Sequence, residues 1–265
     1  MMLFGTGCDK LKSRDMLNQG VSAYKSAKYQ DAIEKFKQAI QLDPTNPNAR
    51  LYLATAYMTQ WIPGAESPEN KQLADSAKSE FMQVLAKDPK DKIALASLAS
   101  LSYNQAQAMS AEEKLAKFAE ARDWNMKLVE ADPKNKEAFY SLGVISWAKW
   151  YPALGKARAE LGMKPEDPGP IKDKKVKAAL KEKYTGVIEE GKSSLNKALE
   201  IDPEYDDAMA YLNLLIREQA DLSDSSDEYS KQVEVANNWV QKALDTKKKK
   251  AARQPGNVGI VQDVK

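Results

Sequence analysis

The sequence predicts an all-α protein built as a solenoid of about five antiparallel helix pairs, and three observations predict it. Four Asp-Pro pairs punctuate the chain, at Asp43-Pro44, Asp88-Pro89, Asp132-Pro133 and Asp202-Pro203. Each follows an apolar pattern of helical period that ends in a turn rich in Ala, Leu and Ile. Small residues then recur at fixed distances from those stops. A stack of this kind also suits 265 residues, because each unit packs on its neighbours and no single large core is needed.

A residue before proline is pushed out of the α region and proline cannot continue a helix, so each Asp-Pro ends one helix before the next begins. The prolines are spaced by 45, 44 and 70 residues, against roughly 34 for a bare helix-pair unit. Residues 13–46 form the first pair, with Gly20, Tyr29, Ala32, Ile33, Phe36, Ala39, Ile40 and Leu42 ahead of its stop. The second, 47–91, carries surplus residues over 59–71, where Ser67 can cap a helix with Pro68 at its first position. In the third, 92–135, Ser110 and Glu113 make a capping box ahead of a helix to about Glu130. The fourth, 136–205, contains a buried helix around 139–148. Pro152, Pro165, Pro168, Gly169 and Pro170 then mark an irregular loop, and an extended helix follows over 171–201. A hidden unit within this interval would place Lys156, Glu160 and Met163 at the small positions, so the count stays at five. The fifth pair, 206–246, has Ser225 and Glu228 as a second capping box and no closing proline. Residues 1–12 form an N-terminal tail and 247–265 a basic disordered one.

In register, the first small position holds Gly20, Ala54, Ala99 and Gly143, and Asn213 in the fifth unit. The second holds Ala32, Ala77, Ala121, Gly191 and Ala236, and the third Ala39, Val84, Leu128, Ala198 and Ala243. Two helices reach the short end of the ~8–10 Å interaxial range only where small side chains cross. Leu53, Tyr57, Leu98, Leu142, Phe36 and Phe81 fill the space beside the crossings. This joint pattern resembles the tetratricopeptide repeat, with departures at Asn213, at Asn125 where an aromatic is expected, and in the lack of tryptophan at the fourth position. The resemblance implies a right-handed superhelix whose first helices line a concave groove.

Carrying the family's groove positions over gives Tyr24, Lys25, Thr55, Thr59, Tyr103, Asn104, Tyr140, Val144, Trp147 and Arg217 as the protein-binding surface. Aromatic rings beside polar groups suit an extended or helical peptide, and inter-repeat packing is the other use of such rings. Leu17 and Val21 stand where some relatives clamp a terminal carboxylate with lysine and asparagine, so that activity does not transfer.

Composition narrows the chemistry. The chain has no histidine, which removes the commonest acid-base group and imidazole metal ligand. One cysteine, Cys8, permits neither an intrachain disulfide nor a thiolate zinc cluster. Adjacent carboxylates such as Glu189-Glu190 and Asp206-Asp207 do not face each other on a helix, so no catalytic pair is expected. No cofactor, metal or nucleic acid is expected, and a formal net charge of +2 supplies no strong field. The lysines at 172, 174, 175, 177, 181 and 183, and those at 242 and 247–250 with Arg253, read as solvated helix ends. No apolar run reaches the ~18 residues of a membrane span.

Gly5-Thr6-Gly7-Cys8 resembles the end of a bacterial lipoprotein signal, which makes Cys8 a lipidation candidate; a free thiol is the alternative. The whole organisation is similar to bacterial tetratricopeptide lipoproteins. The expectation is a non-enzymatic adaptor for a protein or peptide partner, lipid-anchored at the cell envelope and facing the periplasm. A soluble cytoplasmic adaptor is the alternative, and an accessory subunit of an enzyme complex the more distant one.

Overall fold

The computed structural model describes residues 6–253 except 108 and 165. Among them lie ten α-helices and no strand. In order these are α1 (Thr6–Lys25), α2 (Tyr29–Leu42), α3 (Pro47–Gln60), α4 (Pro68–Lys87), α5 (Lys92–Gln107) and α6 (Ala111–Ala131). Then follow α7 (Lys136–Glu160), α8 (Lys174–Ile201), α9 (Asp206–Gln219), a single 3-10 turn (Ala220–Leu222) and α10 (Ser226–Arg253). Consecutive helices pack as pairs: α1 with α2, α3 with α4, α5 with α6, α7 with α8, and α9 with α10. The chain divides into two compact units, Met1–Pro133 with three pairs and Lys134–Lys265 with two.

The four Asp-Pro stops share one geometry. Asp43, Asp88, Asp132 and Asp202 cap the C-termini of α2, α4, α6 and α8 with φ between −128° and −142° and ψ between 85° and 96°. Their N–H groups donate to the carbonyls of Ala39, Val84, Leu128 and Ala198, which are the residues of the third small position. Three of these aspartates then accept from the backbone N–H two residues on, at Thr45, Lys90 and Glu204. Asn46, Asp91 and Asn135 accept from the first N–H groups of α3, α5 and α7, so the first three stops lead directly into a capped start, whereas α9 follows Tyr205 without a side-chain cap.

The small positions are the helix crossings. A methyl built on Gly20 would lie 2.5 Å from Cε1 of Phe36, and one on Gly191 would lie 2.6 Å from Cβ of Ser146 and 2.8 Å from Cδ1 of Leu215. Ala32, Ala54, Ala77, Ala121, Ala198 and Ala236 are fully buried. Phe36, Phe81, Phe118 and Trp150 fill the space beside them and are among the largest fully enclosed side chains. The two irregular asparagines have different fates. Asn125 is buried and donates from Nδ2 to the carbonyl of Ala121, 2.9 Å away in its own helix. Asn213 is buried with Oδ1 unpartnered.

Three boundaries differ from the sequence expectation. Helix α1 begins at Thr6, inside the segment 1–12 read as a tail. Pro152 marks no loop, because it lies within α7, which continues to Glu160. An internal proline costs a helix about 3 kcal/mol. The stripe Trp150, Leu154 and Ala157 offsets that cost by sharing one buried cluster with Ile171, Leu180 and Ile188. Helix α10 extends through Arg253, so 247–253 are helical. Lys250 pairs with Asp206, and Arg253 Nη1 lies 2.6 Å from Glu204, so the acidic start of α9 holds the basic end of α10. The remainder of the expected disordered tail, 254–265, lies outside the described residues. The fourth pair gains its length both from longer helices and from the irregular connection between Glu160 and Lys174, and α8 starts behind an Asp173 cap that accepts from Val176 N–H.

Candidate functional site

The first-helix face of unit 1 is furnished by α1, α3 and α5. The hydroxyls of Tyr24 and Thr59 are 2.7 Å apart, which joins α1 to α3. Thr55 and Thr59 donate their hydroxyls back to the carbonyls of Leu51 and Thr55, so the Tyr24 hydroxyl is the donor to Thr59. Tyr24 also meets Tyr29 edge-on, with centroids 5.3 Å apart. Lys25 is exposed in the last turn of α1. Tyr103 lies against Phe118 at 5.5 Å, within the α5–α6 pair, and Asn104 Nδ2 donates to Ser100 Oγ at 3.2 Å. Much of this polar inventory is therefore already engaged locally.

Unit 2 is different. Tyr140 and Trp147 of α7 do not stand alone but belong to a row of five rings. Tyr205 meets Tyr140 at 5.1 Å, Tyr140 meets Tyr211 at 5.6 Å, Tyr211 meets Trp147 at 5.5 Å, and Trp147 stacks on Tyr151 at 5.0 Å. The first four rings alternate between α9 with its N-terminal cap residue and α7, the last two are both on α7, and edge-to-face and stacked contacts of this kind hold rings in fixed orientations. Tyr151 ends it and is 47% exposed. The base is tied down as well, since Tyr205 donates to Glu137 and Lys136 sits 4.9 Å from the Tyr205 ring centroid.

Two expected surface residues fall elsewhere. Val144 is buried at 7% exposure, so it offers little surface to a partner. Arg217 Nη2 reaches α10 and donates to Asn237 Oδ1 at 2.6 Å, so much of its hydrogen bonding is internal. Sequence reasoning missed Tyr151, Tyr205, Tyr211 and Glu218. The spacing Tyr140, Trp147, Tyr151, seven then four on one helix, was the available signal for Tyr151.

Beyond Tyr151 the face opens into a cleft of about 530 Å³ bounded by α7, the 163–168 connection, α9 and the start of α10. Arg158 organises its wall. Nη1 lies 2.6 Å from Asp221 Oδ2, and Nη2 donates to the carbonyls of Lys164 and Asp167 at 2.8 and 2.6 Å. This guanidinium ties the connection to the 3-10 turn, which the planar fork of arginine suits. Burial pushes the Asp221 carboxyl up against the pull of Arg158. Glu218 Oε1 accepts the Trp147 indole N–H at 2.9 Å. Burial pushes the Glu218 carboxyl up to about 7, with the Trp147 hydrogen bond opposing and the Asp221 charge reinforcing.

Comparison with known proteins agrees with the helix-pair architecture. Residues 22–60 match the sequence profile of the family described as TPR repeat. No curated protein matches the chain by sequence. Among solved structures, a MamA protein is 15% identical, with a TM-score of 0.53 over 93% of this chain and 98% of that one. MamA from Desulfovibrio magneticus RS-1, from residue 41 to its end, is 15% identical, with a TM-score of 0.54 over 90% and 96%. The fold is that of tetratricopeptide-repeat solenoids, and the matched sequence runs from the last turn of α1 through α2 and α3.

Proposed function

We propose that the protein is a non-enzymatic scaffold that holds a segment of a partner protein on its first-helix faces, chiefly along the ring row of unit 2. The observation that carries this reading is the row itself. Five rings are held in fixed orientation by one another, and the last of them is 47% exposed. Rigid aromatic side chains lose little entropy on binding and dominate the energetics of protein interfaces. The tetratricopeptide fold supports a protein-interaction role at the coarse level.

The test is capture of a native partner by the full chain. Replacing Tyr140, Trp147 and Tyr151 together by alanine should abolish recovery from native extract while the far-ultraviolet circular dichroism stays helical. Undiminished recovery would move the site off this face.

Attachment to the bacterial cell envelope through lipid on Cys8 belongs to the same proposal. It is supported by an exposed thiol with small residues on its N-terminal side. No helix among the described residues is long and apolar enough to cross a membrane. Expression from the native locus with a clickable fatty acid should label the protein, and Cys8→Ser should abolish the label. An unmodified thiol would leave the soluble cytoplasmic scaffold.

A further inference from the structure

The cleft beyond Tyr151 has a chemistry unlike that of the ring row. Four carboxylates line it, Glu166, Asp167, Glu218 and Asp221, against two guanidiniums, Arg158 and Arg217. Arg158 and Asp221 neutralise each other at 2.6 Å, and Arg217 donates to the neutral Asn237. What remains is an acidic excess in a cleft whose volume falls within the roughly 300–1,000 Å³ typical of ligand sites.

Glu218 is the group left incomplete. One oxygen takes the Trp147 indole, and the other is enclosed with no hydrogen-bond partner. A buried acceptor without a donor is costly, and an incoming donor recovers that cost. The terminal torsion of a glutamate is soft, so the second oxygen can turn toward the cleft without backbone movement. Tyr151 and Tyr229 supply aromatic surface on the lining, which attracts a cation over its face.

We propose that this cleft receives a basic side chain, arginine in preference to lysine, from the protein segment held along the ring row, with Glu218 as its counter-ion. The proposal rests on the scaffold reading and adds a chemical requirement to the partner: a cationic residue just past the part that lies on the rings. Arginine is preferred because a flat guanidinium can stack on tyrosine while donating in its own plane to the carboxylate. The high carboxyl value of Glu218 in the free protein fits a site that ionises fully when its cation arrives. The guanidiniums of Arg158 and Arg217, the carboxyls of Glu166, Asp167 and Asp221 and the phenols of Tyr151 and Tyr229 are the other titratable groups facing the cleft.

The probe is acetyl-Gly-Arg-Gly-amide, with the citrulline tripeptide as its neutral isostere, titrated into the full chain at pH 8. The Trp147 indole N–H resonance reports directly on Glu218. Saturable displacement of that resonance by the arginine probe is expected, with binding about tenfold weaker for citrulline and for Glu218→Gln. Glu166→Gln, at an exposed position, should weaken binding about two- to threefold. Equal binding of the two tripeptides, or no saturable displacement, would overturn the proposal. Should Glu218→Gln unfold the unit, the citrulline comparison on the unaltered chain decides alone. Failure of the probe with partner capture intact would remove the cation site and leave the scaffold reading standing.

Discussion

Gly143 and Gly155 lie on the same helix, α7, and one substitution at the two should act in opposite directions. A Cβ added at Gly143 would lie 2.6 Å from Cδ2 of Leu195 and press on its branching carbon, and Leu195 is fully buried. Overpacking of this kind costs about 1–3 kcal/mol. Alanine returns about 1 kcal/mol in helix propensity, which leaves Gly143→Ala destabilised by up to about 2 kcal/mol. Nothing lies within 4 Å of the same atom at Gly155, so Gly155→Ala keeps the propensity gain and should stabilise by about 1 kcal/mol. Helix α8 repeats the experiment: Gly191→Ala meets Ser146 and Leu215, whereas Gly186→Ala meets nothing within 4 Å. The assay is urea unfolding followed by circular dichroism and tryptophan fluorescence. Midpoints should be compared first, because two compact units need not unfold as one transition. A Gly143→Ala variant as stable as Gly155→Ala would refute the claim that small residues mark the crossings.

The remaining predictions concern buried charge. The Glu218 carboxyl is raised from its ordinary 4.5 to about 7, so its contribution to stability is complete below pH 4.5 and is lost as pH rises through 7. Wild type should therefore lose roughly 3 kcal/mol between those limits from this group, and Glu218→Gln, which keeps an acceptor for Trp147, should flatten that part of the pH profile. An unchanged slope in the variant would place the buried proton elsewhere. Arg158→Met leaves Asp221 buried without its partner and takes a donor from the carbonyls of Lys164 and Asp167, at a cost of about 3–5 kcal/mol. The 163–168 connection should then become the first site of limited proteolysis. Arg158→Lys should not rescue it, since one ammonium cannot reproduce the fork. Full rescue by lysine would reduce the role of Arg158 to charge alone.

What was legible in the sequence was local. The Asp-Pro stops declared themselves because proline geometry acts on its immediate neighbours, and all four adopt the same extended cap. Ser67 and Ser110 announced their caps for the same reason. Ser67 accepts from Asn70 N–H, and Glu113 accepts from both the backbone and the hydroxyl of Ser110. Ser225 gives half of the expected box: it accepts from Glu228 N–H, while the Glu228 carboxylate takes the N–H of Asp224 instead. The departures depend on partners distant in sequence. Pro152 stays helical because Trp150 and Leu154 are buried with residues of α8, and α10 persists because Lys250 and Arg253 find Asp206 and Glu204. The ring row was half visible. Tyr140 and Trp147 occupy family positions, but their neighbours Tyr205 and Tyr211 come from the following pair, and Glu218 meets Trp147 across 71 residues of chain. Spacing within one helix cannot reveal which side chains a second helix contributes.

The central claim is that a partner protein lies on the ring face of unit 2, and site-specific photo-crosslinking in the native cell tests it most directly. A photoreactive phenylalanine replaces either Tyr151, at the exposed end of the row, or Lys197, on the second helix of the same pair. A discrete protein adduct from position 151, absent from position 197, is the predicted result. Adducts that form only from position 197 would contradict the account.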